Sequence, residues 1–287
     1  MANFLGVVFD GIAFGSLLFL VSVGLSVTLG LMGFIHLAHG AFAMFGGFLA
    51  VMLMGRAGVP FLATLPIAFL VLATAGAVME RTLYRRLHGA SALDQVLATI
   101  GITFMAMAAA TFFWGSGPQA MVLPGFLRGQ VSVLGLDLGA YRLFLVAFVA
   151  AVSMALWALL ERTRFGARVR AAVDQRAVAS ALGIRVDRIF TLMFALGTGL
   201  AGLGGALGIE VLGLDAAFPL RFMVSFLLVV VVGGVGTIRG AAIAALVLGI
   251  CDVAGKYYVP DAGAFILYGV MVVLLVAFPR GLFGRRK

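Results

Sequence analysis

Charged side chains are scarce in this sequence. Asp, Glu, Lys and Arg together make up 11% of its 287 residues, whereas a soluble globular domain carries about 25%. Hydrophobic residues make up 63% of the chain, and the mean hydropathy is +1.19. A water-soluble domain cannot bury so large an apolar fraction. The composition therefore excludes a soluble fold and indicates an integral membrane protein.

Cysteine and histidine are also rare. The single cysteine, Cys251, excludes an intrachain disulfide and a cysteine-based metal cluster. Of the three histidines, His36 and His39 stand three residues apart, but two ligands do not complete a metal site. We therefore predict no metal site and no catalytic residues in this chain.

A nucleotide-binding motif is missing as well. The only Gly-Lys pair, Gly255–Lys256, is followed by Tyr257 and lacks the upstream glycine spacing of a phosphate-binding loop. We therefore expect no cofactor in this chain, and any ATP is hydrolysed by another subunit. The formal net charge of +9 does not indicate nucleic-acid binding, because the basic residues are distributed among loops between apolar segments.

Apolar segments long enough to cross a hydrocarbon core of about 30 Å recur along nearly the whole chain. We place nine of them, plus or minus one, and predict an all-α polytopic bundle of about 8–10 spans in one domain, residues 1–287. They cover residues 4–31, 34–54, 60–80, 95–114, 141–160, 188–209, 222–236, 240–256 and 263–279. The second is interrupted by polar and glycine residues and the seventh is short, so either is expected to be broken or re-entrant.

The basic residues indicate the orientation of the chain. Fifteen of the 20 fall on one side of the predicted spans, and the other five fall on the opposite side. The fifteen lie in residues 81–86, 162–188, 239 and 280–287. Because basic loops stay in the cytoplasm, we predict that the 161–188 loop and the C-terminus are cytoplasmic. The opposite loop, 115–140, is rich in glycine and proline and predicts turns and a short hairpin.

Two glycine-led breaks interrupt the apolar pattern. Residues 33–41 read GFIHLAHGA and residues 233–241 read GGVGTIRGA, and each break opens a helix of small residues. Such paired interruptions mark the translocation path of many transporters. We assign six residues to this path, five from the breaks and one ionisable group within a span: Gly33, His36, His39, Gly40, Gly236 and Asp252.

Ionisable groups within spans are functional candidates, because they are costly in lipid. Asp10 and Asp252 qualify on this ground. The structural alternative for Asp252 is a salt bridge to Lys256, which follows four residues later. Glu80 and Glu210 fall near span ends, where we expect water to reach them.

The longest polar stretch runs from Glu161 to Arg188. Its apolar side chains recur at helical spacing, at Val169, Ala172, Val173, Ala177 and Ala181. This pattern predicts a short amphipathic helix from Arg168 to Leu182 that ends at Gly183. Such a helix lies on anionic lipid, anchors the orientation of the chain, or docks into a partner protein. The many alanines favour docking, because small side chains bury little in lipid but pack closely in a protein cleft.

Motifs in this loop and in three other stretches resemble one family. The loop is similar to the coupling segment of ABC permeases of the branched-chain amino acid class, the LivH-type family. Six residues match it: Gly166, Arg170, Ala171, Ala179, Gly183 and Ile184. The other matches, in the same order as in the family, are residues 25–47 with the Ala-His-Gly of 38–40, residues 99–101 with 114–115, and residues 233–240 with the ending 279–284.

The resemblance implies a permease subunit of an ATP-driven importer for branched-chain or related amino acids in a bacterial inner membrane. It implies that the six loop residues insert into a groove of a cytoplasmic ATPase. The implied partners are a second permease subunit of LivM type, cytoplasmic ATP-binding subunits, an external solute-binding protein and membrane lipid. The cargo is not identified, because similar permeases also move other amino acids, amides, urea or aromatic acids.

The sequence leaves two other functions open. An ion-coupled secondary transporter of small organic solutes would use Asp10 or Asp252 as its coupling carboxylate. That alternative leaves the alanine-rich helix of the loop without a role. An intramembrane enzyme would have only His36 and His39 to work with.

Overall fold

The computed structural model describes residues 2–34, 36–87, 89–133, 136–278 and 281–283. It confirms the predicted all-α bundle. Among the described residues, seven helices are long and apolar enough to cross a membrane: α1 (Ala2–Met32), α2 (His39–Ala57), α3 (Phe61–Met79), α5 (Ala92–Trp114), α6 (Ala140–Arg162), α9 (Val186–Leu212) and α11 (Ile238–Tyr258). Two further apolar helices, α10 (Phe218–Gly233) and α12 (Gly263–Ala277), are shorter. Each of the nine predicted segments coincides with one of these helices.

The shorter elements lie between these helices. Helix α3 continues through a five-residue π-helical turn, Glu80–Tyr84, into the single turn α4 (Arg85–Leu87). The polar loop after α6 forms α7 (Arg164–Asp174) and α8 (Arg176–Ala181). Strands β1 (Gln130–Val133) and β2 (Leu136–Gly139) pair antiparallel with Gln130 opposite Gly139, which confirms the predicted hairpin.

Helix α9 is the centre of the bundle and packs against α1, α2 and α3. Its glycines allow this close approach. A Cβ on Gly24 of α1 would lie 2.5 Å from the carbonyl oxygen of Gly197, and a Cβ on Gly205 would overlap the carbonyl group of Ala43 in α2. Small residues let apolar helices approach until their backbones touch, and van der Waals packing then holds them together.

The bundle has two chemically different ends. One, the hairpin end, carries β1, β2 and the beginning of α6, where Arg142 pairs with Asp10 of α1. Asp252 also lies toward this end and accepts a hydrogen bond from Lys256 at 2.6 Å. The other, the arginine end, carries α7, α8, the end of α3 and the beginning of α9. Both carboxylates weighed as ion-coupling groups are therefore paired with basic side chains of this chain.

Helix α2 begins beside the middle of α1. The His39 ring Nε2 lies 3.0 Å from the Val21 carbonyl oxygen, and α1 continues for eleven residues beyond Val21 to Met32. At 1.5 Å per residue, those eleven residues span about 16 Å. The chain between Met32 and His39 therefore turns back along α1, so the second apolar segment is broken as its sequence indicates.

Candidate functional site

Both glycine-led breaks contact α1, between Val21 and Gly30. The Gly236 N–H donates to the Ser26 carbonyl oxygen at 3.1 Å, and Gly30 leaves no room for a Cβ against the Gly236 backbone. Gly236 has φ +78°, in the left-handed region that glycine adopts without a steric penalty. The other break places His39 against Val21 of the same helix. The structure therefore places Gly236 and His39 against neighbouring turns of α1.

Five rings pack around the first break, and we call them the histidine cluster: Phe34, His36, His39, Tyr84 and Phe194. The His36 ring lies 4.8 Å from Tyr84, 5.0 Å from Phe194 and 5.8 Å from His39, between ring centroids and in edge-to-face geometry. All five side chains are buried. Edge-to-face packing is favourable for such rings, so the five side chains form one closely packed, buried cluster.

Polar atoms in this cluster lack hydrogen-bond partners. Among the described residues, both ring nitrogens of His36, Nδ1 of His39 and the Tyr84 hydroxyl are buried without one. Ser22 and Ser26 of α1 also bury unpartnered hydroxyls. Each such group costs about 1–3 kcal/mol, and buried polar groups are normally satisfied. The cluster therefore gathers several polar groups in a buried position, which is typical of a functional site.

Glu80 is a buried carboxylate that the sequence interpretation missed. The prediction that water reaches it is wrong, because its side chain is only 1% exposed. The Thr191 hydroxyl donates to Glu80 Oε2 at 2.6 Å, and an Arg85 guanidinium nitrogen lies 3.7 Å from the same oxygen. The signal available in the sequence was an acidic residue at the end of a span, with arginines one and five residues later. The burial of Glu80 depends on how α3 packs against α9.

The polar loop folds differently from the prediction. A single helix from Arg168 to Leu182 is wrong, because the chain leaves helical geometry at Gln175 (φ −148°, ψ 86°) between α7 and α8. Helix α7 also begins earlier, at Arg164, because the Thr163 hydroxyl accepts a hydrogen bond from the Gly166 N–H and so caps the helix. The stop at Gly183 is confirmed: it has φ +80°, and the next N–H returns to the Ala179 carbonyl oxygen at 3.0 Å.

The six residues matched to the coupling motif do not share one exposed surface. Gly166 packs against the Leu160 carbonyl group, and Ala179 is 2% exposed. Arg170 donates to the Leu160 carbonyl oxygen and lies 3.5 Å from Glu161, so it binds the end of α6. Ala171 and Ile184 are half-buried, and Gly183 is exposed at the end of α8. Most of the motif therefore holds the loop to its own chain.

The most exposed large apolar side chains of this loop do not belong to the six motif residues. Val178 is 50% exposed and Leu182 is 75% exposed, although both belong to a loop of mostly basic and small residues. Exposed apolar side chains in a polar segment indicate a contact surface. We call this surface, Val178 with Leu182, the α8 apolar edge.

A cavity of about 810 Å³ lies where this loop meets the bundle. Its lining joins the end of the loop to the surroundings of Glu80 and includes Arg81, Arg85, Gly183, Ile184 and Thr191. The loop, the start of α9 and the end of α3 thus form one continuous region at the arginine end.

The remaining path residues are dispersed. Gly33 (φ +61°) and Gly40 flank the histidine cluster, and Gly40 packs against the Pro219 backbone of α10. Asp252 lies fourteen residues into α11, about 20 Å along the helix from its start. It is therefore remote from the break that contains Gly236. Within the described ranges no group of three metal-ligating side chains occurs, and His88 lies outside those ranges.

Comparisons with known proteins give matches over nearly the whole chain. A family model described as "Branched-chain amino acid transport system / permease component" matches residues 7–275. The chain is 28% identical to the high-affinity branched-chain amino acid transport system permease protein BraD of Pseudomonas aeruginosa, over 96% of this chain and 94% of the relative. It is 27% identical to LivH of Escherichia coli K12, over 98% and 96%. A probable LivH of Methanocaldococcus jannaschii is 26% identical, over 95% and 90%. No solved structure matches significantly.

Proposed function

We propose that this chain, which belongs to the family of permease components of branched-chain amino acid transport systems, forms the membrane path of an ATP-driven importer for branched-chain or related amino acids. The single observation that carries the proposal is the family match over residues 7–275. That match confirms the resemblance drawn from the motifs. The protein is accordingly a multi-pass membrane protein.

The path is proposed to pass the histidine cluster. Non-helical backbone inside a membrane protein is tolerated where it faces a cavity or other protein. The break between α1 and α2 supports this route, because it places at one point imidazole nitrogens and a Tyr84 hydroxyl that have no hydrogen-bond partner among the described residues. When the rings separate, water or solute would satisfy those groups, and opening would recover part of the free energy lost in the closed state.

Energy coupling is proposed to occur at the arginine end, which we place in the cytoplasm together with the C-terminus. The α8 apolar edge would dock against an ATP-binding subunit, because it is exposed in this chain. The complete importer would also contain a second permease subunit of LivM type and an external solute-binding protein. ATP would bind to the partner subunit, since this sequence has no phosphate-binding loop.

An ion-coupled transporter is the less supported alternative. Its candidate carboxylates, Asp10 and Asp252, pair with Arg142 and Lys256. A paired carboxylate already has its counter-ion and is therefore poorly suited to binding a transported proton or sodium ion.

Reconstitution tests the proposal. Vesicles that contain this chain with its partner subunits and binding protein should accumulate radiolabelled leucine only when ATP is supplied on the ATPase side. Vesicles with this chain alone should accumulate none. Accumulation by the chain alone under a proton or sodium gradient would overturn the proposal.

A further inference from the structure

A π-helical turn lies between α3 and α4 and includes both Glu80 and Tyr84. Isolated π-helical turns are rare and occur frequently at functional sites. From its contacts we infer that Glu80 is a positioning residue: it fixes the turn that holds Tyr84 in the histidine cluster, and it ties that cluster to the start of α9. This inference rests on the proposed transport function and adds a residue through which the arginine end acts on the path.

The first half of the link runs from the 161–188 loop to Glu80. Helix α9 begins at Val186, two residues after Ile184, so movement of the loop displaces the first turns of α9 directly. Thr191 lies in those turns, and its hydroxyl donates a hydrogen bond to Glu80 Oε2 at 2.6 Å. Arg85 lies 3.4 Å from the same hydroxyl. A buried carboxylate depends on such partners, so Glu80 holds α3 and α9 in one register.

The Thr191 hydroxyl has an alternative acceptor. It also lies 3.0 Å from the Asp187 carbonyl oxygen in its own helix. A hydroxyl has one proton and donates it either to Glu80 or to that carbonyl group. Displacement of α9 can therefore release Glu80 without leaving the hydroxyl unpaired, which makes the contact suitable for breaking and re-forming.

The second half of the link runs from Glu80 to the path. Glu80 and Tyr84 are the first and last residues of the five-residue turn. The Tyr84 ring contacts His36 at 4.8 Å, Phe194 at 5.2 Å and Phe34 at 5.4 Å between centroids. Its hydroxyl has no partner among the described residues. The backbone of the turn therefore places this ring, and Glu80 fixes one end of that turn.

The experiment compares transport with ATP hydrolysis in the reconstituted complete transporter. Thr191→Val keeps the shape of the side chain but removes the donor, and we expect leucine imported per ATP hydrolysed to fall about tenfold, because hydrogen bonds to charged groups change equilibrium constants by about this factor or more. Glu80→Gln keeps an acceptor for Thr191 and should give a smaller loss. Thr191→Ser keeps the donor and should restore the wild-type ratio.

The matched control is Thr103→Val. Thr103 is buried in α5, and its hydroxyl donates to the Thr99 carbonyl oxygen of its own helix at 2.8 Å, so its loss should leave the ratio unchanged. A wild-type ratio for Thr191→Val overturns the inference and leaves the proposed function intact. Failure of both Thr191→Val and Glu80→Gln to assemble, when Thr191→Ser assembles, also overturns it, because the role is then structural. Absence of ATP-dependent uptake by the wild type overturns the proposed function itself.

Discussion

At the scale of single residues, buried polar groups differ in whether they have a hydrogen-bond partner. Tyr84 and Tyr141 are both buried, but their hydroxyls differ. The Tyr141 hydroxyl donates to the Leu207 carbonyl oxygen at 2.5 Å, whereas that of Tyr84 has no partner in the described part of the chain. We therefore expect the hydroxyls of these two buried tyrosines to contribute to stability in opposite ways.

Removing the Tyr84 hydroxyl should stabilise the protein. We expect Tyr84→Phe to raise the free energy of unfolding by about 1 kcal/mol, because it removes an unsatisfied buried group. Tyr141→Phe should lower it by about 1 kcal/mol, since the Leu207 carbonyl group loses its donor. Denaturation of the purified protein in detergent measures both. Equal destabilisation by the two variants would show that the Tyr84 hydroxyl is satisfied.

Single glycines decide how closely the helices approach. Gly205→Ala should destabilise the bundle by about 1–3 kcal/mol, because its Cβ would overlap the Ala43 carbonyl group. Gly101 in α5 is the matched control, since a Cβ there meets nothing within 4 Å. Gly101→Ala should be neutral or stabilise by up to about 1 kcal/mol. Thermal unfolding of the two variants checks the pair, and similar losses in both would contradict the packing described for α9.

At the scale of elements, α7 and α8 change which residues are expected to bind the ATPase. The sequence suggests that Ala179 packs into a partner's cleft, but Ala179 is 2% exposed and packs within its own chain. Ala179→Trp would therefore disturb the loop itself and would not isolate the docking contact. The α8 apolar edge is available instead.

Leu182→Asp should release the ATP-binding subunit without unfolding the bundle. Leu182 is 75% exposed, and burying a charge in an apolar interface is costly. Val122→Asp is the matched control at the hairpin end, where Val122 is 73% exposed. Co-purification of the ATPase with each tagged variant measures the effect. Retention of the ATPase by Leu182→Asp at the wild-type level would exclude the α8 apolar edge as its binding surface.

At the scale of the whole molecule, hydropathy predicts the helices because a chain in lipid must satisfy its backbone groups within each span. That constraint is local, so the sequence predicts all nine segments. The hairpin is predictable for another local reason, the turn-forming glycine and proline of residues 115–140. The return of the chain along α1 to His39, the burial of Glu80 and the break at Gln175 depend on contacts between distant segments. His36 and His39 stood out as rare polar residues in a break, whereas Tyr84 did not, because an aromatic residue near a span end is ordinary.

Cysteine accessibility across the first break tests the central claim, that the translocation path passes the histidine cluster. The single-cysteine variants His36→Cys and His39→Cys are made in a Cys251→Ala background. The complete transporter is then treated with a water-soluble thiol reagent, with and without ATP. Ala13→Cys, in the closely packed face of α1, is the protected control. We expect His36→Cys and His39→Cys to react in at least one nucleotide state and Ala13→Cys to react in none. Protection of both break positions in every state, in a transporter that still imports leucine, would contradict it.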